Sequence, residues 1–381
     1  MKHVFLSEVA KIIMGQSPPS PTYNKSRIGL PFYQGNADFG DLYTIPRVYC
    51  SAPQKVAEPG DILITVRAPV GPTNLNREIS CIGRGLSAIR TGNKLDRNYL
   101  LYFLRYFEPN MEKLATGSTF SAISRDDLEN IVIPLPPLSE QQRIANILKK
   151  ADRLRSLRKY ARQLSDGYLQ SVFLEMFGDP TTNPKGWEKV EIGNFLKVIS
   201  GHGFKYSEYS STGVRLLQIA NVSFQEIPWD TIAYLPLDYI KKYPNLVLHP
   251  DDLVMALNRP ILGDKIKFSY LSTNDCPSIL YQRVGKLVVD KTVNKDFVFG
   301  FMQTNYFFNE LKRRLAGSDQ PYINPTELVK IIGILPPRHL QDEFSLIFQK
   351  YMSLGRRLRE SERHAEILFQ SLMHKAFQGE L

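Results

Sequence analysis

The sequence predicts an α+β fold: two similar α/β domains joined by two long antiparallel helices that form a coiled coil, with a pseudo-twofold internal repeat. Three observations predict this fold. Residues 117–179 align without a gap with the sequence 200 positions later. In the first part of each copy, short β-type runs that follow Pro-x-Asp turns alternate with helical stretches. An amphipathic stretch far longer than an average globular helix closes each copy.

The repeat is clearest where Ile133 to Ile144 reads IPLPPLSEQQRI and Gly333 to Phe344 reads GILPPRHLQDEF. Both segments contain a hydrophobic run, then Pro-Pro, then a Gln that opens an amphipathic stretch. Earlier parts match at smaller shifts, as in PGDILITVRAP from Pro59 and PDDLVMALNRP from Pro250. The order of the matches is kept throughout, which indicates an internal duplication.

Helix-breaking residues divide the chain into five segments. The two Pro-Pro pairs and the breaker-rich stretch after Phe177 give the boundaries. We expect a first domain at 1–138, a spacer helix at 139–180, a linker at 181–186, a second domain at 187–337 and a second spacer helix at 338–381.

The two predicted helices carry matching apolar stripes. Ser139 and Gln142 have the spacing of a capping box, directly after Pro136-Pro137. Apolar residues then recur three or four positions apart in both helices, which favours packing of one helix against the other. The alternative is that each helix lies on its own domain. The residues expected on the spacer helices' shared or partner-facing stripe are Ile144, Ile147, Leu154, Leu164, Phe344, Ile347, Leu354, Leu358 and Leu368.

Composition favours a polyanionic partner. The formal net charge is +10 and the sequence pI is about 9.3, which favours nucleic acid over an acidic small substrate. A merely basic soluble protein is the alternative. Three widely spaced cysteines fit a reducing, cytoplasmic location. We expect no signal peptide and no membrane span.

No stretch of the sequence carries a recognisable catalytic or metal-binding motif. It lacks a G-x-x-x-x-G-K-[ST] phosphate loop, and its six histidines do not have metal-ligand spacing. We therefore expect neither catalytic residues nor a metal site, and we predict a binding protein.

Polar residues on loops at matching places in the two domains are the candidates for contact with DNA bases. A turn or cap role remains the alternative for each of them. The candidates are Gln16, Ser17, Gln34, Asn36, Arg67, Arg84, Ser118 and Thr119 in the first domain, and His202, Lys205, Gln218, Asn221, Asn258, Arg259, Ser318 and Gln320 in the second.

The first helix also carries seven basic residues within the fourteen positions 149–162. One interpretation is that these residues form a solvent-exposed face of the helix. The other is that this stretch faces the DNA between two contact sites, or an acidic patch of a partner.

These motifs in this order resemble the DNA specificity subunit of Type I restriction–modification systems. The resemblance covers nearly the whole chain and depends on Pro59 to Gly71, Cys81 to Arg90, Gly117 to Leu148 and their counterparts in the second copy. It implies that each domain is a target recognition domain reading one half of a bipartite, asymmetric double-stranded DNA site.

The same resemblance implies the partners. The helices would act as spacer and as docking platform for two methyltransferase (modification) subunits, and motor-nuclease (restriction) subunits would complete the complex. The chain would bind no cofactor, because S-adenosylmethionine, ATP and Mg would be used by the other subunits. Two alternatives remain open. One is an enzyme, either a detached recognition half of a single-chain restriction–modification enzyme or an unrecognised nuclease. The other is a structural protein with no role on DNA.

Overall fold

The computed structural model describes residues 2–114 and 122–381, with the side chain of Asp166 excepted. The chain forms two compact units. Unit 1 contains Met1–Tyr160 and Arg359–Leu381, and unit 2 contains Ala161–Leu358. Each unit therefore includes part of both long helices, so the compact units do not coincide with the predicted domain boundaries at 138 and 337.

The described part of unit 1 pairs its strands in the orders β1-β11, β2-β10-β7-β8 and β3-β5-β4-β9-β6. The strands are β1 His3–Phe5, β2 Ala10–Met14, β3 Tyr23–Asn24, β4 Leu30–Tyr33, β5 Tyr49–Cys50, β6 Val56–Ala57, β7 Ile62–Thr65, β8 Thr73–Leu75, β9 Ser80–Ile82, β10 Leu86–Thr91 and β11 Val132–Pro134. The helices are α1 Leu6–Val9, α2 Arg97–Leu114, α3 Arg125–Glu129, the first part of α4 Leu138–Phe177 and the last part of α9 Arg338–Gln378.

Unit 2 repeats this plan with the orders β12-β23, β13-β22-β17-β20, β15-β14-β21-β16 and β18-β19. Its strands are β12 Glu188–Glu191, β13 Leu196–Ser200, β14 Val214–Leu217, β15 Ala233–Leu235, β16 Val247–Leu248, β17 Leu253–Ala256, β18 Ile261–Leu262, β19 Lys265–Ile266, β20 Phe268–Tyr270, β21 Ser278–Leu280, β22 Val284–Val289 and β23 Ile332–Leu335. Its helices are α5 Tyr239–Lys242, α6 Lys295–Met302, α7 Asn305–Arg313, α8 Pro325–Leu328, the last part of α4 and the first part of α9 Arg338–Gln378.

The two units share one strand topology. The central pairings β2-β10-β7-β8 and β13-β22-β17-β20 are antiparallel throughout. A parallel pair sits at the same place in each unit, β4 with β9 and β14 with β21. The predicted α+β fold with an internal repeat is confirmed. None of the helices in the described residues contains a stretch long and apolar enough to cross a membrane.

The long helices run antiparallel where they meet within each unit. In unit 1, Arg143 donates to the backbone oxygen of Leu381 at 2.7 Å, and Arg155 pairs with Glu366 at 3.4 Å. In unit 2, the ring of Tyr168 lies 6.5 Å from that of Tyr351, and the ring of Phe177 lies 5.6 Å from that of Phe344. In each unit, later residues of α4 contact earlier residues of α9, so the two helices are antiparallel there, as the sequence predicts.

The predicted stripe is only partly buried. Ile144 and Phe344 are buried, whereas Ile147, Ile347 and Leu358 are half-buried. The expectation that both helices bury this stripe against each other is wrong for four leucines, which are 39% to 60% exposed: Leu154, Leu164, Leu354 and Leu368.

The reason is that each helix buries another set of residues against the helices of its own unit. The ring of Phe369 lies 6.1 Å from Tyr102, and Phe377 lies 5.4 Å from Tyr99 in the core of unit 1. In unit 2, the ring of Phe173 on α4 stacks on that of Phe297 on α6. The large rings dominate the area removed from water, so they decide which face turns inward.

The repeated Gln after Pro-Pro links each long helix to its domain. The fully buried side chain of Gln141 accepts the backbone N–H of Asp96 at 2.8 Å and donates to the backbone oxygens of Lys94 and Pro136. Gln341 accepts the N–H of Asn294 and donates to Pro336 in the same geometry. One amide thus joins the start of each long helix to the loop before α2 or α6, and this contact explains the repeated motif.

We expect Gln141→Leu to lower the free energy of unfolding by about 2–5 kcal/mol, because buried polar groups left without a partner each cost about 1–3 kcal/mol. The neighbouring Gln142 is exposed, so Gln142→Leu is the matched control, with an expected change within about 0.5 kcal/mol. Urea denaturation of both variants measures the difference. Equal midpoints would contradict the proposed role of the Gln141 amide.

Candidate nucleic-acid interface

Two of the predicted contact loops lie side by side in unit 1. The N–H of Gly15 donates to the oxygen of Leu86 at 2.9 Å, and that of Gln16 donates to Ile82 at 3.0 Å. The turn after β9 is held further by Ser17, whose Oγ accepts the N–H of Arg84. The loop after β2 therefore contacts the turn between β9 and β10.

Two more loops join them. The N–H of Gly83 donates to the oxygen of Tyr33 at 2.8 Å, which places the end of β4 beside the same turn. The N–H of Val66 donates to the oxygen of Gly85 at 2.9 Å, which places the end of β7 there. Loops far apart in sequence thus converge at one edge of the sheets, bringing together Gln16, Ser17, Gln34, Arg67 and Arg84.

Unit 2 contains the same convergence. The N–H of His202 donates to the oxygen of Leu280 at 3.3 Å, and Tyr281 donates to Leu217 at 3.2 Å. The N–H of Leu257, the residue after β17, donates to the oxygen of Arg283 at 2.8 Å. The shared hydrogen bonds define corresponding positions: Gln16 with His202, Gln34 with Gln218, Arg67 with Asn258, and Arg84 with Gln282.

A glycine opens the first loop of each set. A Cβ on Gly15 would lie 2.2 Å from the oxygen of Gly83, and one on Gly201 would lie 2.2 Å from the oxygen of Tyr281. No side chain fits at that distance, so glycine allows the two backbones to approach. The residue that follows each glycine is exposed. The loops are therefore held by backbone contacts, and the side chain after each glycine faces solvent.

Most candidate side chains are available to a ligand. Ser17 and Gln218 are half-buried, and Gln218 donates to the Tyr209 hydroxyl. Ser118 and Thr119 lie outside the described residues. The exposed candidates are Gln16, Gln34, Asn36, Arg67, Arg84, His202, Lys205, Arg259, Ser318 and Gln320.

The prediction that Asn221 contacts DNA is wrong. Its side chain is 1% exposed, its Oδ1 accepts the N–H of Gln218, and its amide donates to the oxygens of Pro228 and Thr231. Every polar atom of this side chain is used inside the protein. Its counterpart in unit 1 is Asp38, which accepts the N–H of the residue after β4 in the same way.

Asn258 is also unavailable to a base edge. It is 7% exposed at the end of β17, where its backbone bridges to Tyr322. The next residue, Arg259, is exposed. In unit 2 the exposed basic side chain of this loop is therefore one position later than Arg67.

Sequence reasoning missed two residues of the unit 2 surface, Gln282 and Arg283. Both are exposed, and Arg283 adopts a left-handed backbone conformation at φ 72°. They occupy the places of Arg84 and Gly85. Aligning Gly83-Arg84-Gly85 with Tyr281-Gln282-Arg283 would have identified them, but the two triplets share only an approximate pattern.

An aromatic and basic cluster adjoins His202. Its ring stacks on Tyr243 at 5.4 Å, and the Lys242 ammonium lies over the rings of Tyr239 and Tyr243. Glu208 accepts the N–H of Lys205 and the hydroxyl of Tyr239. The hydrogen bond from Lys205 has the largest effect on the pKa of Glu208, followed by the one from Tyr239. Both lower this pKa and favour the charged form of Glu208. The exposed side of this cluster carries cations and aromatic rings, which suits a nucleic acid.

The described residues contain no group of three or more His, Cys, Asp or Glu that could hold a metal ion. The buried thiol of Cys81 has a pKa raised to about 11, mainly by burial. It therefore stays protonated near neutral pH and is a poor nucleophile.

The family described as "Type I restriction modification DNA specificity domain" matches residues 1–163 and 184–368. The chain is 39% identical over 262 residues to the type I restriction enzyme MjaVIII specificity subunit of Methanocaldococcus jannaschii, a match covering 65% of this chain and 61% of that protein. It is 49% identical over 154 residues to the putative MjaX specificity subunit of the same organism, covering 40% and 36%. The matches thus span less than two thirds of the length of these relatives.

A solved structure has a similar fold over almost the whole chain. It is the type I restriction–modification system S subunit from M. genitalium, with a TM-score of 0.62 and 15% identity, covering 99% of this chain and 96% of that one. At that identity the likeness shows the fold alone. The family match covers both copies of the repeat, and the chain therefore belongs to the family of type I restriction–modification DNA specificity domains.

Proposed function

We propose that the chain is the DNA sequence-specificity subunit of a type I restriction–modification complex. Each unit reads one half of a bipartite, asymmetric site in double-stranded DNA. The observation that carries this proposal is the duplicated loop surface with different side chains at corresponding positions. Gln16 stands where unit 2 has His202, and Arg84 stands where it has Gln282. Because the side chains differ, the two half-sites differ.

The chemistry of the exposed side chains supports direct reading of bases. Arg pairs bidentately with guanine, and Gln or Asn with adenine, in the major groove. The loops that carry these residues are fixed by backbone hydrogen bonds to rigid strands, as a selective surface requires. The net charge of +10 adds the attraction to phosphates that all such binding needs.

The long helices supply the surface for the other subunits. Their exposed leucines, including Leu164 at 60% and Leu354 at 53%, are large apolar side chains that face solvent in this chain. Such residues along a helix are typical of a protein–protein contact. We propose that two methyltransferase subunits dock on the helices and that restriction subunits join the complex. The basic stretch 149–162 would then face DNA or an acidic patch of a partner.

The chain itself performs no chemistry in this proposal, and the complex works in the cytoplasm. S-adenosylmethionine, ATP and Mg are bound by the other subunits. We expect the purified chain to show neither methylation with S-adenosylmethionine nor cleavage with ATP and Mg. Radiolabelled methyl transfer and plasmid digestion test this, each with and without the methyltransferase subunit. Turnover by the chain alone would overturn the assignment.

Methylome sequencing tests the specificity itself. Expression of the chain with its methyltransferase subunit in a methylation-free host should give one split, asymmetric motif. Omission of the chain should abolish methylation at that motif. A motif that persists without the chain would show that another subunit reads the DNA.

A further inference from the structure

Two cations that have no counter-ion among the described residues lie next to the convergent loops of unit 2. Arg259 follows β17, and its N–H donates to the oxygen of Pro321. Lys267 lies between β19 and β20, and its N–H donates to the oxygen of Pro260 at 2.7 Å. The β18–β19 hairpin leaves the sheet after Arg259 and returns at Lys267. Both residues are therefore at the base of one hairpin.

No carboxylate of the described chain pairs with either cation. Lys267 is half-buried, whereas Arg259 is exposed. The pKa of Lys267 is lowered mainly by burial and secondly by the positive charge of Arg259. A half-buried ammonium beside a guanidinium is unfavourable unless an anion lies between them. The arrangement costs stability in the free protein, and a bound anion would remove that cost.

The pair belongs to unit 2 alone. The hydrogen bond from Ala256 to the oxygen of Lys267 corresponds to the one from Thr65 to the oxygen of Pro72 in unit 1. Arg259 corresponds in the same way to Ala68. Unit 1 thus has two uncharged residues at these positions, so the cation pair is not needed to build the shared fold. Binding of an anion would explain its presence.

The position of the pair connects it with the proposed DNA surface. Asn258, directly before Arg259, bridges to Tyr322, which closes the loop carrying Ser318 and Gln320. The residue before Asn258 is hydrogen-bonded to Arg283 in the turn between β21 and β22. An anion held by Arg259 and Lys267 would therefore lie at the margin of the loops that face the bases. The backbone of DNA occupies such a margin when side chains reach into a groove.

We propose that Arg259 and Lys267 form a binding site for one phosphate group, and that a phosphate of the DNA backbone occupies it when unit 2 binds DNA. The DNA part of this inference rests on the proposed function. Arginine supplies a planar pair of donors for two phosphate oxygens, and lysine supplies a point charge. The contact fixes the position of unit 2 on the duplex without selecting a base.

The first experiment tests the site with inorganic phosphate alone. The full chain is labelled with ¹³C at lysine, and the Lys267 signal is identified as the one missing in Lys267→Met. We expect the titration midpoint of Lys267 to rise when phosphate is added and to stay unchanged with chloride at equal ionic strength. In Arg259→Gln the response to phosphate should be lost. An unchanged Lys267 midpoint in the wild-type chain would show that no phosphate site exists.

The second experiment tests whether the phosphate belongs to DNA. Fluorescence anisotropy with a short mixed-sequence duplex is recorded over a series of salt concentrations. We expect the slope of log Kobs against log salt to decrease in magnitude by roughly one in Lys267→Met. Lys267→Arg should retain the slope. The control is Lys189→Met, which removes an exposed charge on β12 and should leave the slope unchanged. Thermal melting of each variant verifies that it is folded.

The outcomes separate this inference from the proposed function. If the wild-type chain binds duplex DNA and Lys267→Met keeps the full salt slope, the DNA contact at this site is wrong while the function stands. If the wild-type chain binds phosphate at Lys267 but no DNA, even with the methyltransferase subunit present, the proposed function fails and the site takes a free phosphate.

Discussion

Replacing both Arg67 and Arg84 with alanine is expected to weaken binding to the half-site proposed for unit 1 by roughly 30-fold to 20,000-fold. Both side chains are exposed at the convergent loops of unit 1, and neither forms an ion pair with another described residue. A bidentate contact to a base contributes about 1–3 kcal/mol of discrimination, and each 1.4 kcal/mol is about tenfold in affinity. Two such contacts give the stated range.

The double variant should retain its fold. Neither side chain packs in the core, so the free energy of unfolding should change by no more than about 0.5 kcal/mol per residue. The matched control is Arg125→Ala, which replaces an exposed arginine at the first turn of α3 that pairs with Glu129. Anisotropy with a duplex carrying the mapped motif measures affinity. Binding within about twofold of wild type would contradict base or phosphate contact by Arg67 and Arg84.

The two arginines can also be told apart. A side chain that reads a base should relax the motif at one position when it is removed, whereas one that contacts phosphate should weaken all sequences equally. Methylome mapping of Arg67→Ala and Arg84→Ala separately makes this distinction. The sequence alone could place both residues on loops, but it could not assign either role.

The duplication and the long helices could be predicted because they follow from patterns that survive in any one sequence. The Pro-Pro pair stops one element, and the apolar spacing of three or four residues needs only a helix. The physical reason for the repeated Gln could not be read from the chain. Gln141 and Gln341 act through backbone atoms of the loops before α2 and α6, which lie 45 to 47 positions earlier. No local pattern reports a contact over that separation.

The candidate site was predictable at the level of loops and less so at the level of residues. Asn36 and Asn221 end similar sequence segments, yet Asn36 is exposed and Asn221 is buried. The difference arises because Asn221 and Asp38 close corresponding short turns, and Asp38 lies two positions after the Asn36 that the sequence match pairs with Asn221. Such a shift reverses burial, and a short irregular loop contains no periodicity that would reveal it.

The same limit explains why Lys267 was missed. It sits in a variable stretch where unit 1 has Pro72, so the repeat gives no counterpart of the same type. Its significance depends on Arg259, which the β18–β19 hairpin brings to its side. Two cations that tertiary structure brings together have no characteristic spacing in the sequence.

Exchanging residues 1–138 for the corresponding domain of another family member should replace one half of the methylated motif and leave the other half unchanged. The reading loops of unit 1 all lie within these residues, and those of unit 2 lie between 200 and 322. The exchange therefore alters every candidate for base contact in one unit and none in the other. Methylome sequencing of the chimera gives the result directly.

The contacts of unit 1 determine which donor domains will succeed. Tyr99 and Tyr102 on α2 pack against Phe377 and Phe369 of α9, which stays in place in the chimera. A donor with small residues at the two tyrosine positions would leave a cavity, at about 3–5 kcal/mol per lost aromatic side chain. A donor with aromatic residues there is the proper test. If such a folded chimera changed both halves of the motif, the assignment of one unit to one half-site would be wrong, because the unchanged loops of unit 2 could not then be the sole readers of the second half.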